Sequence, residues 1–437
     1  MKKYITSITI IIFSILNLFA QEGKTYKSLE EALKNTELVF SLELTNKDLV
    51  SLPKDIQNLK NLKYLTIRNT QITELPKEIG SLSNLTNLEL GMNQIKNLPK
   101  SIGRLKNLKV LKFTNSKITS LPESLGDLTN LEYLQVTITD LASLPKSIGK
   151  LKKLKDINIS TSKLTSLPES IGNCINLEIL SLGGNKITNL PKSIGNLSNL
   201  KILFLIDNQL TTLPSSVGNL TNMKILSINS NQFKNLPNTI GKLSNLRELD
   251  AGTNVLTILP EQLTNLSGLT LLNLSANQLK TLPNLFGNLS NLNNLNLYGN
   301  QLEALPESFG NLTNLEELYL TENKLSMLPK NFGDLSNLFM LYADKNQLKT
   351  LPDSIGKLAN LSSLKLSENQ LTALPESIGE MTHLGSLYVE KNQLTGLPES
   401  IGKLKNLYSI QISDNQLNEQ AIKKITELLP NCDCSFE

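Results

Sequence analysis

From about residue 41 to residue 417 the chain sets leucines and polar residues in one recurring order. The stretch 315–329 reads LEELYLTENKLSMLP. Leu318 and Leu320 are two residues apart, so they face one side of a short strand, and Glu317, Tyr319 and Thr321 face the other. Leu325, Leu328 and Pro329 follow on a return path, where Pro329 fixes φ and donates no ladder hydrogen bond. Stretch 181–197, SLGGNKITNLPKSIGNL, repeats the phrase. Prolines stand at 53, 76, 99, 122, 145, 168, 191, 214, 237, 260, 283, 306, 329, 352, 375 and 398, with 23 residues in every step. A fixed period of this size predicts a solenoid in which each coil contributes one strand. About 17 parallel strands spaced ~4.8 Å apart would make a sheet on the order of 80 Å long. The inward Asn, such as Asn323, is expected to satisfy backbone groups at the bend. The glycine column, filled in fourteen of sixteen repeats and represented by Gly333, is expected to allow a tight bend.

A solenoid needs caps, because its end coils each lack a neighbour. TYKSLEEALKN reads as an N-terminal helix, with Ser28 and Glu31 at capping-box spacing and Leu29, Ala32 and Leu33 on one stripe. After Asn415 the proline cadence stops, and NEQAIKKITELLPN predicts a closing helix with Ala421, Ile422, Ile425 and Leu428 inward. Leu429, Cys432 and Cys434 then repeat the strand spacing and predict an inward-facing terminal half-coil. The first residues differ in kind. MKK is basic, Ile5 to Phe19 is largely apolar, and Ala20 stands at a cleavage-like position, which predicts a secretory signal peptide. The −3 position is Leu18, so the small-x-small cleavage rule is only half met. The expected organisation is a signal peptide at 1–20, a helical cap at 21–40, a solenoid at 41–417, and a helical cap with half-coil at 418–437. The unbroken period argues for one repeat domain.

Charge and rare residues narrow the chemistry. A net charge of +4 gives no footprint for nucleic acid. The position after proline is mostly Lys in early repeats (Lys54, Lys77, Lys100, Lys146) and mostly acidic in late ones (Glu307, Asp353, Glu376, Glu399). His383 is the only histidine, so no multi-histidine zinc site can form, and it stands where other repeats have Asn, so it reads as a substituted repeat position rather than as the base of a Ser-His-Asp triad. Cys174 reads as a core substitution. Glu368 and Glu390 lie on adjacent strands, but an open, wet face tunes their acidity little. The chain reads as non-enzymatic, without cofactor or metal.

The motif Leu-Pro-x-x-Ile-Gly-x-Leu-x-x-Leu resembles the typical 23-residue leucine-rich repeat class across residues 39–417. The LPKSIG and LPESIG coils are similar to those of exported spirochaete proteins and of Ras-binding scaffold proteins of eukaryotes. The resemblance implies an α/β solenoid: a leucine-rich repeat horseshoe with a parallel concave sheet and short helical or irregular convex segments. It also implies a protein partner held on the concave face.

Two clusters occupy that face. Ile179, Ile202 and Ile225 share one column, with Phe204 and Ile206 beside them. Tyr319 and Tyr342 share another, with Tyr388 two strands on, Tyr298 and Met340 flanking, and Lys365 between. Glu317, Glu322, Asp344, Lys345, Glu368, Glu390 and Lys391 rim the second cluster. Aromatic centres with charged rims are common in protein interfaces. The leading reading is an exported binding module, bacterial in pattern, for a protein such as a host surface or matrix protein. An intracellular scaffold of the Ras-binding type and a structural envelope protein are the competing readings. The sequence predicts no membrane span in the mature chain and leaves the oligomeric state open.

Overall fold

Short strands recur every 23 residues because the inward leucine pair recurs every 23 residues. The computed structural model describes residues 24–436, and the expected signal peptide lies outside them. The chain falls into two compact units, divided between Lys163 and Leu164. The first unit holds β1 (Thr25–Tyr26), β2 (Ser41–Leu44), β3 (Tyr64–Arg68), β4 (Asn87–Gly91), β5 (Val110–Thr114), β6 (Tyr133–Thr137) and β7 (Asp156–Asn158). They pair in parallel in chain order, with registers such as Leu65↔Leu88 and Leu88↔Leu111. The second unit holds β8 (Ile179–Ser181), β9 (Ile202–Phe204), β10 (Ile225–Ser227), β11 (Glu248–Asp250), β12 (Leu271–Asn273), β13 (Asn294–Asn296), β14 (Glu317–Tyr319), β15 (Met340–Tyr342), β16 (Ser363–Lys365), β17 (Ser386–Tyr388), β18 (Ser409–Gln411) and β19 (Asp433–Ser435). These also pair in parallel and in chain order. The repeats thus supply β2–β18, the expected 17 strands, and the caps add β1 and β19.

Opposite the sheet, each coil makes a short 3-10 turn just after its proline. Pro306, at φ −69°, opens the turn Glu307–Asn311, and Phe309 N–H donates to its carbonyl at 2.9 Å. The core lies between sheet and turns. In one coil Leu295, Leu297, Leu302, Phe309, Leu312 and Leu315 are all fully buried, each side chain contributing roughly 1.5–3 kcal/mol. Phe286, Phe309 and Phe332 replace the usual Ile and stack at 6.1 and 6.2 Å between centroids.

The inward asparagines form a ladder in the second unit. Asn300 Oδ1 accepts from Leu279 N–H in the preceding coil at 3.1 Å. Its Nδ2 donates to Leu274 O at 2.9 Å, Leu297 O at 3.1 Å and Tyr298 O at 3.4 Å. Asn208 to Asn415 repeat this link to the coil before. The first unit does otherwise. Thr70 Oγ1, Asn93 Nδ2 and Ser116 Oγ are buried without a hydrogen-bond partner. Asn93 is therefore no regular ladder member, although its sequence suggests one; its Oδ1 accepts from Ile95 N–H of its own coil. Strands β3–β6 run five residues, with pairs such as Arg68↔Gly91, whereas β8–β18 stop at three. Where Asn amides take the carbonyl that follows the strand, pairing ends early.

The glycine column has a different cause from the expected bend. Gly333 is absent from the positive-φ residues. A methyl built on it would overlap the Ser354 carbonyl oxygen of the next coil, and one on Gly287 would overlap that of Ser308. Glycine here permits close approach between coils. The left-handed backbone falls instead on the residue before the inward Asn. It is glycine at Gly184 and Gly299 but a β-branched residue at Ile138 (φ 56°), Thr161 (φ 53°) and Thr253 (φ 52°). Ile138 is also half-exposed, so its side chain gains little from packing. Ile138→Gly should raise stability by about 1 kcal/mol, since a β-branched residue in this region is strained by roughly that much. Thermal melts showing an unchanged or lower midpoint would count against it.

Some of the post-proline acids have a structural task. Glu123 accepts from Lys146 N–H (3.0 Å) and Ser147 N–H (2.9 Å), capping the next coil's turn. Glu169 does the same for Lys192 and Ser193. Ser193 holds the Glu169 carboxyl below its ordinary value.

Both caps form. The helix α1 (Leu29–Lys34) is capped by Ser28, which accepts from Glu31 N–H at 3.3 Å, and it buries Ala32. The helix α2 (Glu419–Leu428) is capped by Asn418 and buries Ile425. In β19 Cys434 pairs with Ile410, and Cys432 and Cys434 are free thiols, each partly rather than fully buried. Burial first, then the neighbouring Cys434, pushes the Cys432 thiol up to about 12. No described helix is long and apolar enough to cross a membrane.

Candidate functional site

The sheet face turned away from the core carries every candidate residue. Parallel register converts the 23-residue spacing into columns, so residues far apart in sequence become neighbours.

The C-terminal cluster forms a continuous row. Tyr319 on β14 meets Tyr342 on β15 edge-on, with centroids 5.4 Å apart and ring planes at 85°. Lys365 on β16 lies between two rings, its Nζ 4.4 Å from the Tyr342 centroid and 5.1 Å from that of Tyr388 on β17. Aromatic pairs and cation–π contacts are each worth on the order of 1 kcal/mol, so the row holds a defined shape. All four side chains remain part-exposed. Met340 places its sulfur 3.5 Å from the Tyr342 hydroxyl. Tyr298 is more open, at 41 % exposure, and its phenol is pushed up by its hydrogen bond to Glu322.

The rim charges separate into two groups. Glu322 pairs with Lys345 at 2.8 Å and Glu368 with Lys391 at 3.8 Å. Glu317, Asp344 and Glu390 are held by neutral donors. Glu317 accepts from Asn294 Nδ2 (2.6 Å) and Tyr319 hydroxyl (3.1 Å). Asp344 accepts from Ser367 N–H (3.1 Å) and Thr321 hydroxyl (3.3 Å), and Glu390 accepts from the Ser367 hydroxyl. Burial pushes Asp344 up.

The central cluster is less open than its composition suggests. Ile179, Ile202 and Ile225 are in register on β8, β9 and β10. Ile202 is only 8 % exposed between the other two, so it has little area left to offer. Phe204 is part-exposed and Ile206 is 40 % exposed, lying over the Gly183 backbone.

Some polar features of this face escaped the reading of the sequence. Burial pushes Asp250 and Glu248 up on β11, with Asp250 accepting from Gly252 N–H and Asn273 Nδ2. In the first unit burial lifts Asp156 to about 6, against the pull of Lys112. The column rule would have found them, but charge on a strand does not announce its own burial. His383 is exposed in a column whose asparagines bond to the coil before, as Asn360 does to Ser336 O. Among the described residues no three His, Cys, Asp or Glu side chains are grouped to hold a metal.

The repeat geometry has counterparts among known proteins. The sequence matches the family described as leucine-rich repeat region over residues 24–170, 167–256, 284–370 and 330–429. The chain belongs to the leucine-rich repeat family. A leucine-rich repeat protein of Leptospira interrogans is 36% identical over 95% of this chain and 100% of its own, with a TM-score of 0.75. The leucine-rich repeat ectodomain of the Arabidopsis thaliana receptor kinase GASSHO1/SCHENGEN3, solved with CASPARIAN STRIP INTEGRITY FACTOR 2, is 31% identical. It matches 95% of this chain and 54% of its own, with a TM-score of 0.65. The Arabidopsis receptor kinase HAESA ectodomain, solved with the peptide hormone IDA, is 29% identical over 90% of this chain and 69% of its own, at 0.68. A search of curated protein sequences finds no match. The leucine-rich repeat assignment fits the columns, the Asn ladder and the post-proline turns together.

Proposed function

We propose that this chain is an exported, non-enzymatic module that binds a protein, such as a host surface or matrix protein, on its sheet face. The observation that carries the reading is the row Tyr319–Tyr342–Lys365–Tyr388, which keeps large aromatic area at the surface in a fixed geometry. Exposed aromatic columns invite aggregation unless they are covered, and a partner covers them. Solved relatives in complex with CASPARIAN STRIP INTEGRITY FACTOR 2 and with a peptide hormone support this reading. Export is supported by the pattern of residues 1–20. Phe204 and Ile206 extend the contact, and Ile202 adds little.

The test is a pull-down against host surface proteins, followed by Tyr319→Ala with Tyr342→Ala. Affinity for the captured partner should fall by at least roughly 2 kcal/mol, the usual size of a hot-spot loss. The melting midpoint should hardly move, because neither ring is in the core. Unaltered affinity, or collapse of the fold, would reject the site.

A further inference from the structure

The chain pairs many of its surface acids by one rule: a Lys exactly one coil away. Lys155–Glu132, Lys201–Glu178, Lys345–Glu322 and Lys391–Glu368 all follow it. Five carboxylates on the sheet face of the second unit do not. Glu248, Asp250, Glu317, Asp344 and Glu390 have no ion pair among the described residues. Asp250, Glu317, Asp344 and Glu390 are held instead by amide, hydroxyl and backbone donors. Such donors fix the direction of a carboxylate but leave its charge uncompensated. Lys365 draws on Asp344 only from a distance beyond an ion pair, and its ammonium already lies over the rings of Tyr342 and Tyr388.

Partly buried charge without a counter-charge is costly, and a cation delivered from outside recovers that cost. Two of the acids lie close to tyrosines of the row. Glu317 accepts from the Tyr319 hydroxyl, and Glu390 is two residues beyond Tyr388, on the same face. A carboxylate next to an aromatic ring is a receptor for guanidinium or ammonium, which uses both at once. We infer that the segment held at the Tyr319–Tyr388 row is cationic: an extended stretch of a protein partner bearing Arg or Lys side chains that seat against Glu317, Asp344 and Glu390. This rests on the protein-binding reading and specifies the chemistry of the partner. Charge complementarity selects the occupant, since an acidic or neutral segment would leave the three carboxylates unpaired and desolvate them further.

The probe is a short synthetic peptide of alternating arginine and serine, set against its glutamate–serine counterpart and titrated into the folded chain. The cationic peptide should bind and the anionic one should not. Glu317→Gln, Asp344→Asn and Glu390→Gln together should weaken binding by at least ~10-fold, about 1.4 kcal/mol. Glu261→Gln, Glu307→Gln and Asp353→Asn, exposed acids on the post-proline edge, should leave it unchanged. A second measurement needs no variant: the cationic peptide should protect Glu317, Asp344 and Glu390 of the native chain from carbodiimide labelling. Equal loss in both triple variants, labelling without protection, or preference for the anionic peptide would overturn the inference. If the peptide fails while Tyr319→Ala with Tyr342→Ala still weakens the captured partner, the cationic assignment falls and the binding surface stands.

Discussion

Asn300→Ala is expected to cost the second unit about 3 kcal/mol, the scale of a buried polar group left without its partner plus the bonds lost with it. The reason lies in how unevenly its four hydrogen bonds are backed up. Leu274 O also accepts from Asn277, and Leu297 O also accepts from Asn323, so both carbonyls keep a donor. Leu279 N–H has Asn300 Oδ1 as its acceptor, and the substitution strands it in the interior. Asn300→Asp keeps the acceptor but loses the donors and adds a buried charge, so it should not rescue. Denaturant unfolding of the variant measures the loss; a change below about 1 kcal/mol, the net worth of one ordinary hydrogen bond, would refute the ladder account. By the same logic, amides around Thr70, Asn93 and Ser116 should exchange faster than those between Asn208 and Asn415.

A single methyl on Gly333 should cost as much or more. The Ser354 carbonyl of the next coil occupies the space a Cβ would need, and that oxygen belongs to backbone, which cannot swing aside as a flexible side chain can. The coils must separate or the turn at Phe332–Asp334 must deform, at the expense of the Phe309–Phe332 stack on which it rests. Overpacking of this kind costs typically 1–3 kcal/mol and occasionally more, and Gly333→Ala is expected at or above about 3 kcal/mol. Gly396, with nothing near a built Cβ, is the control: Gly396→Ala should be close to neutral. A neutral Gly333→Ala would refute the close-approach account of the column.

These two cases also mark what the sequence can and cannot reveal. Period, strand positions and columns were legible because each depends only on spacing along the chain. The Tyr319–Tyr342 contact followed directly, since equal phase in adjacent coils is adjacency in a parallel sheet. The role of Gly333 was misread because distance between coils is not a property of one coil. Asn93 has the residue of a ladder member but not its link to the coil before, where Thr70 stands in place of an asparagine. The strained positions were hidden because Ile138 and Lys345 carry no signature of left-handed backbone. Ile202 was taken as surface, but side chains of equal length in register shield the middle one. The signal peptide is a sequence expectation on residues outside those the structure describes.

The Asn ladder has a consequence for how such chains change length over generations. Each of its bonds joins fixed relative positions: Asn300 reaches Leu279, Leu274 and Leu297, and Asn323 reaches Leu302, Leu297 and Leu320 in the same way. A recombination event that removes one whole 23-residue repeat from the second unit joins two coils that already speak the same bonding grammar. The new junction inherits an acceptor for its leucine N–H and donors for its carbonyls without any compensating mutation. A deletion of any other length shifts asparagine out of phase and strands both. Unequal crossing-over is thereby filtered by hydrogen bonding alone, and families of such chains are expected to differ by whole repeats, with the binding columns shortened or lengthened one strand at a time.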